Sequence, residues 1–219
     1  MKKVISFSLW GDNPKYTVGA IKNADIAEEL FPEWICRFYI GKSVPEDILN
    51  QLKEKNNTQI IQMDEDGDWS GMFWRFHPCS EDDVDVVLSR DTDSRLTQRE
   101  KDAIDEWLES DKGFHIMRDH PWHAAPILGG MWGCKKGTLT EMSSLIDSIQ
   151  KGDFWQVDQI FLRDYIYPLV KDKAFVHDDF FEKKPFPTKR NNLEFIGEVY
   201  DENDNTNEEH REVLRSALV

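Results

Sequence analysis

The feature that most constrains this chain is the regular alternation of its first 63 residues. Val4 to Leu9 is a short apolar run with the length of a buried strand, closed by the turn Gly11-Asp12-Asn13-Pro14. Tyr16 to Leu30 then carries Val18, Ile21, Ile26 and Leu30 at helical spacing among charges, and Pro32 stops it. Trp34 to Ile40 reads as a second strand, the segment opened by Pro45 as a second helix, and Gln59 to Met63 as a third strand. Strand and helix in turn predict an α/β unit with a mostly parallel central sheet flanked by helices, because right-handed crossovers return the chain over the sheet. Ligands of such sheets gather at the carboxyl ends of the strands.

Asp85 to Ser89 is the next apolar run, and Arg90-Asp91-Thr92-Asp93-Ser94-Arg95 follows it directly. Two carboxylates are thereby expected at the ligand edge. With one residue between them, both can reach a single hard, oxygen-preferring cation; solvated turn carboxylates are the plain alternative. Downstream, Gln98 to Ser110 predicts a helix buried through Ala103, Ile104, Trp107 and Leu108, and Phe114 to Met117 a strand. A glycine-containing segment, Ile127 to Cys134, precedes helices at about Leu139 to Gln150 and Val157 to Val170 and a last short strand at Ala174 to Val176. From about Asp178 the chain turns Pro-rich and then acidic, which predicts a wrapped loop region ending in a frayed tail near Asp201 to Glu209. No repeat or linker divides the 219 residues, so one domain spans 1–219.

Charge narrows the partners. Acidic residues outnumber basic ones by 42 to 27, a formal charge of -15, and such a surface field repels nucleic acid and acidic membrane alike. An anionic small ligand is still admitted where a divalent cation neutralises it locally. Cys36, Cys79 and Cys134 are too few and too scattered for a zinc cluster or a disulfide framework, and no segment approaches ~20 apolar residues, so a soluble cytoplasmic protein without a membrane span is expected. No obligate protein partner is implied.

The segment Val86-Val87-Leu88-Ser89-Arg90-Asp91-Thr92-Asp93 resembles the strand and Asp-x-Asp motif of GT-A fold glycosyltransferases. The order of the other elements is compatible from about residue 4 to 180, although only the motif is sharp. The resemblance implies a GT-A-like fold, a nucleotide-sugar donor bound through Mn2+ or Mg2+ on Asp91 and Asp93, and transfer of the sugar, from a UDP-sugar by preference, to a hydroxyl of a glycan or other acceptor. It also implies His177 as a third metal ligand, with Asp178 as a substitute, and Asp158 as the catalytic base or a sugar-binding group. Asp158 read on its own is equally a cap near a helix start.

Donor contacts are expected from Ser8 and Leu9 at the end of the first strand and from Arg90 and Asp91. Met72-Phe73-Trp74-Arg75-Phe76 resembles a helix from which some GT-A enzymes aim an arginine at the donor, which nominates Arg75; a snorkelling arginine beside aromatic core is the alternative. Arg95 either contacts diphosphate or neutralises the motif. Asp119 and His120, in the dense run Arg118 to His123, are candidates for the sugar pocket, and Gly130 and Trp132 offer close backbone approach and a stacking face. Two other classes stay open: a haloacid-dehalogenase-like magnesium phosphohydrolase, whose motif normally lies on the first strand, and a non-catalytic nucleotide- or carbohydrate-binding module.

Overall fold

The computed structural model describes residues 1–149 and 154–218. Seven strands form one sheet: β1 (Lys3–Leu9), β2 (Trp34–Ile40), β3 (Thr58–Gln62), β4 (Val86–Ser89), β5 (Phe114–Arg118), β6 (Trp132–Lys135) and β7 (Ala174–Asp178). Their order is β3-β2-β1-β4-β6-β5-β7, and all pairings are parallel except those of β6, which runs antiparallel to both neighbours. The helices are α1 (Pro14–Leu30), α2 (Glu46–Lys53), α3 (Gln98–Glu109), α4 (Met142–Ser148), α5 (Val157–Phe161), α6 (Tyr167–Val170) and α7 (Glu208–Ala217).

Both faces of the sheet are covered, so consecutive strand residues serve two separate cores. Ile5, Phe7, Val86 and Leu88 pack under α1 to α3 with Ala20, Ala24 and Trp107. Val4, Val87, Phe114 and Trp132 pack on the other face with Phe73, Phe161 and Ile166. Asn13 caps α1, accepting from Lys15 N at 3.0 Å, and Pro14 pre-sets its first turn. Thr97 caps α3, its hydroxyl accepting from Glu100 N at 3.2 Å.

The alternating half follows the sequence reading to within two residues at each end. Later elements differ more. Met72 to Phe76 lies in a long 3-10 helix, Trp69–Ser80. The helix expected over Val157 to Val170 is continuous in path but widens into a π-turn at Leu162–Ile166 between α5 and α6. The helix expected at Leu139 to Gln150 is α4, and Gln150 lies outside the described residues.

The C-terminal segment is the clearest correction. In place of a frayed tail, Asp201 closes a turn by accepting from Asn203 N and Asn205 N, and Asp204 pairs with Lys22 at 2.5 Å and Arg95 at 3.1 Å. Arg211 of α7 then pairs with the buried Glu198 at 2.7 Å. Ionic contacts to distant elements order a segment whose composition is that of a loop.

Candidate active site

A cavity of about 520 Å3 opens at the carboxyl edge of the sheet. Ser8, Leu9 and Trp10 at the end of β1, Asp91 and Asp93 after β4, Gly129 and Gly130 before β6, and Asp158 of α5 converge on it. Arg75 joins them from the 3-10 helix, where Ser8 Oγ accepts from its backbone N–H at 3.1 Å and so fixes where the side chain starts.

Arg75 is the centre of the arrangement. Its Nη1 pairs with Asp91 Oδ1 and donates to the Arg90 carbonyl at 3.1 Å, while Nη2 donates to Asp158 Oδ2 at 2.8 Å. Two glycines make room for this: a Cβ on Gly129 would run into Asp158 Oδ2, and one on Gly130 into Asp91 Oδ2. Burial pushes the Asp158 carboxyl up from its ordinary range, only partly countered by the Arg75 charge. Asp158 is not the cap of its helix, since Gln156, in the left-handed region at φ 72°, occupies that position.

Asp93 binds Lys15 Nζ at 2.7 Å and is held above its usual range by burial and then by the neighbouring charge of Asp91, against the pull of Lys15. A buried carboxylate next to a second one calls for positive charge. Their hard oxygens suit a divalent cation, with the Asp91 carboxylate seated where Gly130 carries no side chain. Among the described residues no group of three or more His, Cys, Asp or Glu side chains is arranged to hold a metal ion, so the protein side of such a site would be Asp91 and Asp93, with other positions left to ligand oxygens and water.

Several sequence candidates are placed elsewhere. His177 is buried on β7, with Nδ1 bonded to His115 Nε2 at 2.8 Å and Nε2 to Glu106 at 3.1 Å, so neither nitrogen is left for a metal. Asp178, its substitute, pairs with Arg118 at 2.8 Å and accepts backbone N–H groups from residues 180 to 182. Arg90 is buried against Glu100 and the carbonyls of Ser89 and Trp132, and Arg95 against Asp204 and the Asp201 carbonyl. Asp119 lies between Arg99 and Arg190 beneath the edge. Trp132, fully buried, stacks on Phe114 at 5.3 Å, so it offers no face to a sugar.

His120 does reach the cavity wall, with a fixed neutral form: Nδ1 accepts from Trp122 N at 3.1 Å, leaving Nε2–H to donate to the His210 carbonyl at 2.9 Å. Around it the structure adds residues the sequence reading missed, among them Trp10, Lys15, Trp122, Phe195 and His210. Lys15 had a signal, a cation in the first turn of a helix, where the dipole disfavours it. Trp10 follows the last residue of β1 and could have been read from that position. His210 had none, because only tertiary contacts bring α7 to the cavity.

No family model and no curated protein matches the sequence. Solved structures do. The chain is similar to a glycosyltransferase involved in the glycosylation of the major capsid of PBCV-1, at 18% identity, TM-score 0.53, covering 81% of this chain and 82% of that one. It is similar to 4-diphosphocytidyl-2C-methyl-D-erythritol synthase from Anaerococcus prevotii, at 14% identity, TM-score 0.51, covering 86% and 94%. A third is the mannosyltransferase PcManGT from Pyrobaculum calidifontis, solved with GDP-Man and Mn2+, at 10% identity, TM-score 0.54, covering 81% of this chain and 55% of that one. At these identities the likeness is one of architecture: the chain has a GT-A-like fold.

Proposed function

We propose that the protein is a metal-dependent glycosyltransferase that moves a sugar from a nucleoside diphosphate, with UDP favoured, to a hydroxyl of a glycan. The observation that carries this reading is the ion pairing of one buried arginine, Arg75, with both Asp91 and Asp158 on the cavity floor. It sets the motif carboxylate and a second carboxylate at a fixed separation around the space a donor would fill. Asp91 and Asp93 would hold Mn2+ or Mg2+, which when bound neutralises a leaving diphosphate. Asp158 takes the proton of the acceptor hydroxyl as the new bond to the sugar forms and the bond to diphosphate breaks; in a retaining enzyme it would instead hold the sugar. Trp10, Tyr16, Trp122 and Trp155 supply the flat faces that sugar and base require, in place of Trp132.

Fold neighbours solved with UDP and with GDP-Man support a diphosphate donor. Three buried free cysteines support a reducing cytoplasmic setting, and among the described residues no helix is long and apolar enough to cross a membrane. The phosphohydrolase alternative loses support because the two aspartates follow β4 rather than the first strand. A second reading, nucleotidyl transfer, is favoured by the coverage shared with the Anaerococcus synthase.

Calorimetric titration with UDP and GDP, with and without Mn2+, tests the site on the wild type and on Asp91→Ala/Asp93→Ala. Metal-dependent binding that the double variant loses is the expected result. No binding of either nucleotide would sink the transferase, and pyrophosphate release from a nucleoside triphosphate with a sugar phosphate would install the second reading.

A further inference from the structure

Asp93 is already held by a cation that belongs to the chain. Lys15 Nζ lies 2.7 Å from its Oδ2, and among the described residues no other side chain pairs with that carboxylate. The placement is built: Asn13 and Pro14 fix the first turn of α1, and the ammonium also sits 5.0 Å from the centre of the Tyr16 ring. A positive charge there faces the positive end of the helix dipole, so Asp93 offsets an unfavourable position. Asn13 and Tyr16, on either side of Lys15, both line the cavity.

A divalent ion on Asp93 would stand within a few ångströms of that ammonium, where two cations repel strongly unless an anion lies between them. A diphosphate is such an anion. Resting on the donor-site reading above, we propose that Lys15 is a resident counter-cation that disfavours divalent metal on Asp93 until a nucleoside diphosphate arrives, when its ammonium passes to a phosphate oxygen. Metal and nucleotide then each raise the affinity of the other, and Lys15 adds to the coupling that direct contact of diphosphate oxygens with the metal supplies. The proposal adds a phosphate-binding residue outside the Asp-x-Asp motif and gives the site an order of assembly.

The test is Mn2+ affinity, followed by the paramagnetic signal of the free ion, for wild type, Lys15→Met and Lys15→Arg, each alone and with saturating UDP or GDP. Lys15→Met should bind Mn2+ on the order of tenfold more tightly than wild type without nucleotide. Nucleotide should raise the Mn2+ affinity of wild type by about tenfold more than it raises that of Lys15→Met, and Lys15→Arg, which keeps the charge, should follow wild type. Equal or weaker binding by Lys15→Met in the absence of nucleotide, while wild type binds Mn2+ with nucleotide, overturns the role of Lys15 and leaves the donor site standing. No Mn2+ binding by any of the three proteins, even with nucleotide, overturns both.

Discussion

Asp91 and Asp119 lie at the same edge of the sheet, after β4 and β5, and each meets an arginine. Asp119 is saturated: Oδ1 accepts from Arg99 at 2.9 Å and Arg190 at 2.6 Å, and Oδ2 from Arg99 Nε at 3.1 Å and Ile196 N at 2.9 Å. Its side chain is 0% exposed. Asp91 gives one oxygen to Arg75, and its side chain remains 47% exposed. A carboxylate with every lone pair engaged by its own chain fixes the fold, whereas one held from a single side has an oxygen left for a ligand. The first cluster ties Ile196 and Arg190 of the C-terminal segment to the sheet; the second faces the cavity with Asp158.

The comparison breaks most visibly through turnover. Asp158→Asn should lower sugar transfer by about 10^2–10^4-fold, the usual range for a lost general base, as read by product formation under saturating donor. If turnover survives, Asp158 belongs with the saturated group. Asp119→Ala leaves the buried Arg99 and Arg190 with Asp179 as their one shared carboxylate and should cost about 3 kcal/mol of stability in denaturant unfolding. A loss of nucleotide binding with unchanged stability would reverse that assignment.

Gly130→Ala sharpens the contrast at smaller scale, since the added methyl must displace the Asp91 carboxylate. A loss of about 1–3 kcal/mol in Mn2+-dependent nucleotide binding is expected by calorimetry, with the Asp119 cluster intact. Acid acts on the fold and leaves the cavity contrast aside. Burial first, and their mutual charge at His115, hold His115 and His177 below the ordinary histidine range. Unfolded histidines take up protons near pH 6.5 while the folded ones resist, so stability present above that pH is lost as pH falls toward the depressed values. The slope should approach about 1.4 kcal/mol per pH unit for each histidine, read from melting temperature between pH 7 and 5. A flat profile would mean that one of the pair is already charged at neutral pH.

How far the sequence could be read follows from how local each signal is. Val4 to Met63 was legible because strand and helix periodicities repeat within a few residues. The place of Asp91 at the cavity was legible from its strand end and motif, whereas Arg75 and Asp158 were nominated by the family resemblance alone. Trp132 and Asp119 were misplaced because four- and five-residue strands are too short to reveal which face a side chain takes. His177 was assigned to the edge although its partners, His115 and Glu106, lie 62 and 71 residues away in the chain. The C-terminal segment was unreadable for the same reason: Lys22, Arg95 and Glu198 order it from a distance.

The reversed direction of β6 has a topological consequence. Because Trp132 pairs with Ser89 and with Ile116, the start of β6 lies beside the ends of β4 and β5. The connection over 119–131 therefore leaves and re-enters the sheet at one edge, and Ile127 within it packs into the core on one face. Its two ends are anchored, by Asp119 after β5 and by Gly129 and Gly130 before β6. Between those anchors the exposed Trp122 lines the cavity, so a change there alters what the cavity accepts and leaves the helices on the two faces in place.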